Sequence, residues 1–267
     1  MTRKLQNITQ SKGPATLTIL LLLVGWQLVA MSGLVPGYLL PSPVQVLHAF
    51  CQDWNTLWSH LLVTLQEALL GLVVGVSVGF VFAMVMDAWE GLYRACYPLL
   101  IISQTIPTVA IAPLLVLWFG YDMTPKVILV VLVTFFPVTV GLLEGFRATD
   151  RDAVALFRSM GAKRWQIFCY LKVPSALPQF FSGLRIAAAY SVVGAVISEW
   201  LGGFSGLGVY MTRVKSAFAF EKMFAVIFLI SALSLLLMAL VGLWEKKMMP
   251  YRYIQKDEKK EIEKHES

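Results

Sequence analysis

Residues 61–86 read LLVTLQEALLGLVVGVSVGFVFAMVM and hold a single ionisable side chain, Glu67. At 1.5 Å of rise per residue, a helix of this length covers the ~30 Å of hydrocarbon in a bilayer. The run has no polar face, so it does not read as a helix half in water. Gly71, Gly75 and Gly79 recur every four residues and line one side of it. Such a stripe of small residues lets a second helix approach closely in a membrane. Outward from this stretch, five more apolar runs cover roughly residues 15–32, 94–119, 126–145, 179–200 and 223–244. Isolated strands cannot satisfy their backbone groups in lipid, so the expectation is an all-α polytopic membrane protein of about six spans.

Composition agrees. Of 267 residues, 58% are hydrophobic and 14% charged, against about 25% charged in soluble domains. Mean hydropathy is +0.71. The net charge of +6 would point to nucleic acid in a soluble chain. Here the cations fall in the N-terminus, one internal loop and the C-terminal tail, which is a topology signal, so no nucleic-acid partner is expected. With the N-terminus inside, inner segments carry 17 Lys and Arg and outer segments four: Lys126, Arg213, Lys215 and Lys222. The positive-inside rule then puts both termini in the cytoplasm. The first apolar run is longer than the roughly 7–15 residues of a signal-peptide core and lacks a following A-x-A site, so it reads as a span. The expected organisation is an N-terminus at 1–14, a membrane domain at 15–248 with a loop at 146–178, and a tail at 249–267. Cys51, Cys96 and Cys169 are scattered and lack CxxC or histidine spacing, so neither a disulfide framework nor a metal site is expected.

Pro98, Pro107 and Pro113 interrupt the third run. Proline removes a backbone donor, so this is a packing kink or a broken helix beside a pathway. Leu40-Pro41-Ser42-Pro43 opens a short stretch with Val44, Leu47 and Phe50 at helical spacing, the pattern of a helix on the membrane surface. The loop at 146–178 is the most informative. Thr149 and Asp152 match a capping box, which starts a helix at Asp150 that runs to Met160 and ends at Gly161. A second short helix is expected over 163–172, stopped by Pro174, with Trp165, Phe168 and Cys169 on one exposed apolar face. Such a face needs a partner, either lipid headgroups or a soluble protein.

Ala155-Leu156-Phe157, three residues, Gly161, nine residues, then Leu171-x-Val173-Pro174 resembles the EAA loop of binding-protein-dependent ABC importer permeases. Ala155 stands where that pattern has glutamate. Arg158-Ser159-Met160-Gly161-Ala162, Trp165-Gln166-Ile167-Phe168, Gly183-Leu184-Arg185 and Gly206-Leu207-Gly208 are similar to the nitrate, sulfonate, taurine and thiamine-pyrimidine-precursor branch. Ala188-Ala189-Tyr190-Ser191 with Glu199-Trp200-Leu201-Gly202-Gly203 most resembles its thiamine-precursor members.

The resemblance implies a permease subunit in a bacterial plasma membrane that works with a separate ABC ATPase dimer, an extracytoplasmic solute-binding protein and a second permease chain. It implies uptake of a hydroxymethylpyrimidine-like solute, with sulfonate, nitrate or taurine as the alternative. An ion-coupled secondary transporter is the more distant reading. No GxxxxGK[ST] occurs in the sequence, so no ATPase site, catalytic residue or cofactor is expected in this chain. Arg158, Gly161, Ala162, Lys163, Trp165, Phe168 and Pro174 are the expected ATPase-coupling residues. Glu67, Ser103, Gln104, Arg185, Tyr190 and Glu199 are the polar candidates for the translocation path. For Arg185 the bland alternative is snorkelling or structural pairing, for Glu67 an interhelical contact, and for Glu199 shaping of the outer loop.

Overall fold

The computed structural model describes residues 2–33, 35–37 and 39–250. The tail expected beyond residue 250 lies outside them. All regular elements among the described residues are helices: α1 (Thr2–Met31), α2 (Pro43–Gln52), α3 (Trp54–Ala88), α4 (Glu90–Ser103), α5 (Thr108–Phe119), α6 (Met123–Arg147), α7 (Arg151–Ser159), α8 (Arg164–Ile167), a π-helical segment (Phe168–Lys172), α9 (Val173–Leu201), α10 (Leu207–Ser216) and α11 (Phe220–Met248). Among the described residues, four helices are long and apolar enough to cross a membrane: Trp54–Ala88, Met123–Arg147, Arg164–Leu201 and Phe220–Met248. A fifth span results if the bent pair α4–α5 counts as one, and the apolar Thr16–Met31 of α1 is shorter. The chain divides into two compact units.

The smaller unit holds Met1–His60 and Tyr210–Leu229. Ser42 caps α2 by accepting from the Gln45 N–H, while the Gln45 side chain accepts from the Ser42 N–H at 2.8 Å. Pro43 sits in the first turn, where its missing N–H costs nothing. Val46 and Ala49 are buried and Phe50 half-buried, whereas Val44 and Leu47 are exposed. Of the residues expected on one apolar face, Val44 and Leu47 stand outward and Phe50 packs beside Trp54, with ring centroids 5.3 Å apart. Trp26 packs on Phe224 and Phe228 with ring centroids 5.8 Å apart in each case.

The larger unit, Leu61–Val209 with Ile230–Ser267, is built on α6. The glycine stripe of α3 lies against it: a Cβ at Gly75 would sit 2.1 Å from Thr134 Oγ1, and one at Gly71 would sit 2.4 Å from Val130. On an adjoining face α6 meets α9 through small residues from both helices. A Cβ at Gly183 would lie 2.3 Å from the Pro137 carbonyl oxygen, and one at Gly145 would lie 2.7 Å from Ala176. Backbones approach this closely only where side chains are absent. Ala83, Met86, Val138, Leu142, Phe146, Ala176 and Ala187 fill the core around these contacts.

The run at 94–119, read as a packing kink or a broken helix, is two helices bent by 96° at a break of four residues. Pro107 cannot donate into a continuing helix, and its ring drives the preceding residue away from helical angles. Pro98 and Pro113 stay inside the two halves. By contrast, Pro174 does not stop the helix begun at Arg164. Residues 168–172 take a π register, and Pro174 falls in the first turn of α9. Slipping the ladder to i→i+5 locally accommodates a residue that cannot donate, so one helix runs from Arg164 to Leu201.

Replacing Gly75 with Leu should force α3 and α6 apart and destabilise the protein by about 1–3 kcal/mol, the usual range for overpacking. Gly91→Ala, where a Cβ meets nothing within 4 Å, should leave the thermal midpoint in detergent unchanged. Equal midpoints for both variants would show that the stripe is not a packing surface.

Candidate functional site

The loop between α6 and α9 starts with Asp150, whose carboxylate accepts from the Asp152 N–H at 2.9 Å. The helix begins where expected, but Asp150 caps it itself. The Thr149 hydroxyl takes no part and has no hydrogen-bond partner, so the Thr149–Asp152 capping box does not form. At the other end, Ala162 N–H donates to the Phe157 carbonyl and Gly161 N–H to that of Arg158, both at 3.0 Å. This pair of bonds closes the helix through a left-handed residue, and Gly161 has φ 80°. Gln166 then reaches back to accept from the Lys163 N–H at 2.7 Å and opens α8.

The apolar face of the second helix differs from expectation. Ile167 is the residue turned inward and buried. Phe168 is half-buried, its ring 5.2 Å from that of buried Phe146, and Cys169 is half-buried too. Trp165 stacks on the outer side of Phe168 at 5.8 Å and is 66% exposed. Leu156, Met160 and Tyr170 are exposed as well. The exposed apolar residues of the loop are thus Leu156, Met160, Trp165 and Tyr170; the cations Arg158, Lys163 and Arg164 are exposed too, and Ala162 is half-buried. Sequence spacing missed Tyr170, because the π turn changes which residues share a face.

Elsewhere in the larger unit lies a buried polar cluster. Lys126 Nζ bonds Glu67 Oε1 at 2.6 Å, and the two side chains are 6% and 2% exposed. Thr64 donates to Glu199 Oε1 at 2.7 Å and accepts from the Leu207 N–H at 2.8 Å. Gly208 N–H donates to Glu199 Oε2 at 2.6 Å. Gly206 has φ +119°, and a Cβ there would fall 2.1 Å from Glu199 Oε1. The Gly206-Leu207-Gly208 turn is therefore moulded on the Glu199 carboxylate. Lys126, read from sequence as an outer-loop cation, is instead a core residue of α6. Thr64 went unremarked, although its spacing of three from Glu67 puts both on one helical face.

The remaining path candidates lie apart from this cluster. Ser103 bonds the Leu100 carbonyl at 2.7 Å, and Gln104 stands exposed at the break between α4 and α5. Arg185 of α9 pairs with Glu245 of α11. Tyr190 is exposed on α9.

In the smaller unit, Asp53 receives the Tyr210 hydroxyl and lies 2.8 Å from Lys222 Nζ. Burial pushes the Asp53 carboxyl up, but the bonds from Lys222 and Tyr210 outweigh it and hold it below its ordinary value.

Residues 67–250 match the family model described as "Binding-protein-dependent transport system inner membrane component". The chain belongs to that family. This permease is 42% identical over 238 residues to the formylaminopyrimidine transport permease protein ThiX of Halalkalibacterium halodurans, covering 89% of this chain and 95% of the relative. It is 35% identical to the riboflavin transport system permease protein RibX of Chloroflexus aurantiacus, covering 87% of each. Among solved structures, an amino acid ABC transporter with histidines superposes with a TM-score of 0.62 at 18% identity, over 74% of this chain and 96% of that one. Membership makes the chain a membrane permease subunit of an ABC importer, a kind of protein that works with an ATPase and a solute-binding protein.

Two outcomes are expected. Lys126→Met leaves Glu67 buried without its counter-charge and should destabilise the permease by about 3–5 kcal/mol. Adding Glu67→Gln should recover most of that loss, as read from thermal midpoints in detergent. For Asp53, a lowered folded-state pKa gives stabilisation that is present above the ordinary carboxylate range and lost as pH falls through the lowered value. Asp53→Asn should therefore lower the midpoint near neutral pH, and the difference from the unsubstituted protein should shrink in strong acid.

Proposed function

We propose that this permease is the pore-forming subunit of an ATP-driven importer for a thiamine-precursor aminopyrimidine, coupled to its ATPase through residues 150–172. The observation that carries the coupling is the exposed apolar group Leu156, Met160, Trp165 and Tyr170 on a loop whose local geometry is fixed at Asp150, Gly161 and Gln166. A large indole standing on a rigid base is what a protein groove takes up as an anchor. Arg158, Lys163 and Arg164 supply rim charges, which tune association more than affinity. Gly161 holds the bend and Pro174 the start of α9. Ala155 leaves the loop without the glutamate of the family pattern, so Trp165 carries more of the contact.

The cations of this loop support a cytoplasmic placement, with both termini on that side of a bacterial plasma membrane. The ATPase dimer binds from the cytoplasm, the solute-binding protein delivers from outside, and two copies of this permease enclose the path. The polar residues Glu67, Ser103, Gln104, Arg185, Tyr190 and Glu199 are its candidates. Identity of 42% over nearly the full length of a formylaminopyrimidine permease supports the solute class.

In membrane vesicles with the cognate ATPase and binding protein, Trp165→Asp should abolish capture of the ATPase and lower solute uptake at least tenfold. It should leave the folded permease intact by thermal midpoint. Undiminished ATP-dependent uptake would refute the coupling reading. Uptake of taurine, with no uptake of aminopyrimidine, would refute the solute reading alone.

A further inference from the structure

The loop is fastened at its two bases to one short turn. Lys172, the last residue of the π segment, places its Nζ 2.8 Å from both carboxylate oxygens of Asp87 near the end of α3. Arg147, the last residue of α6, donates to Glu90 Oε2 at 2.7 Å at the start of α4, and its guanidinium lies 3.3 Å above the Tyr93 ring. Glu90 also accepts from Arg94 at 3.1 Å. Asp87 and Glu90 flank the junction of α3 and α4, which Trp89 alone links. Residues 147 and 172 bracket the whole cytoplasmic loop of the proposed function. The loop's own helix α7 has no buried residue, so it hangs from these bases and from the packing of Ile167 and Phe168.

What lies beyond the turn gives the arrangement a direction. α4 runs from Glu90 to the 96° break that leads into α5, where Ser103 and Gln104 stand. A displacement of the loop therefore has two ways into the membrane: along the unbroken helix into α9, and across the salt bridges into α3 and α4. The two bridges are unequal. Asp87 and Lys172 are shielded, with side chains 10% and 26% exposed, whereas Glu90 and Arg147 are open to water. Water screens an open pair, so the Asp87 bridge is the firmer link.

We propose that Asp87, paired with Lys172, is a positioning residue of the transport cycle that carries the movement of the coupling loop into α4 and its break. Glu90, paired with Arg147, is the secondary link. The proposal rests on the coupling reading above and adds a second output to it.

The test uses the reconstituted full transporter with its ATPase and binding protein. Asp87→Asn should leave ATPase capture and the ATP hydrolysis rate unchanged and raise the ATP consumed per solute imported at least fivefold. The swapped pair Asp87→Lys with Lys172→Asp should restore the ratio. A Gln104→Cys reporter, in a variant with Cys51, Cys96 and Cys169 replaced by Ser, should change thiol accessibility on ATP trapping, and Asp87→Asn should abolish that change. An unaltered ratio, a swap without rescue, or a reporter still responsive in Asp87→Asn would overturn the proposal. So would loss of ATPase capture, since the bridge would then only hold the loop's shape. Failure of Trp165→Asp to release the ATPase sinks the coupling reading instead, which keeps the two outcomes apart.

Discussion

The architecture depends on how closely α6 is approached by two helices. Gly71, Gly75 and Gly79 bring α3 onto one face, and Gly183 with Gly145 and Ala176 bring α9 onto an adjoining one. In lipid there is no hydrophobic gain from hiding one apolar helix against another, so contact is held by dispersion and by the few polar bonds. That makes the buried Glu67–Lys126 bridge and the Thr64–Glu199 bond more than decoration. They join α3, α6, α9 and the start of α10 through buried polar contacts. A charge left alone there is costly, so the cluster specifies one arrangement of the helices.

Much of this was readable in the amino-acid order. Apolar runs reveal spans because lipid imposes a single demand over about 20 residues. The glycine stripe was readable because spacing of four places residues on one face, although its partner helix was not. The N-terminus and the glycine end of α7 were readable because capping chemistry is local. Family motifs in the loop pointed to an ABC permease, and the match over residues 67–250 agrees.

What escaped was set by distant contacts or by small shifts of register. Lys126 near the start of a span looks like a loop cation until Glu67, 59 residues away, is seen beside it. Trp165 and Phe168 share a face, but periodicity does not say which of them a neighbouring helix will cover, and Phe146 covers Phe168. Pro174 reads as a stop because it lacks a donor; the π turn that absorbs this has no signature in composition. Thr149 reads as a cap by its type, yet Asp150 reaches the free N–H first.

The unbroken helix from Arg164 to Leu201 has 38 residues, about 57 Å at 1.5 Å each. Hydrocarbon takes up about 30 Å of that, so a large part of the rod stands clear of the lipid. Gripped near its middle by α6, such a rod is a lever with two arms of about 28 Å each. Tilting it by about 5° about that grip would shift either tip by roughly 2 Å, the scale at which packed interfaces switch. A small rocking inside the membrane and a large stroke at the indole are thus one rotation seen at two radii.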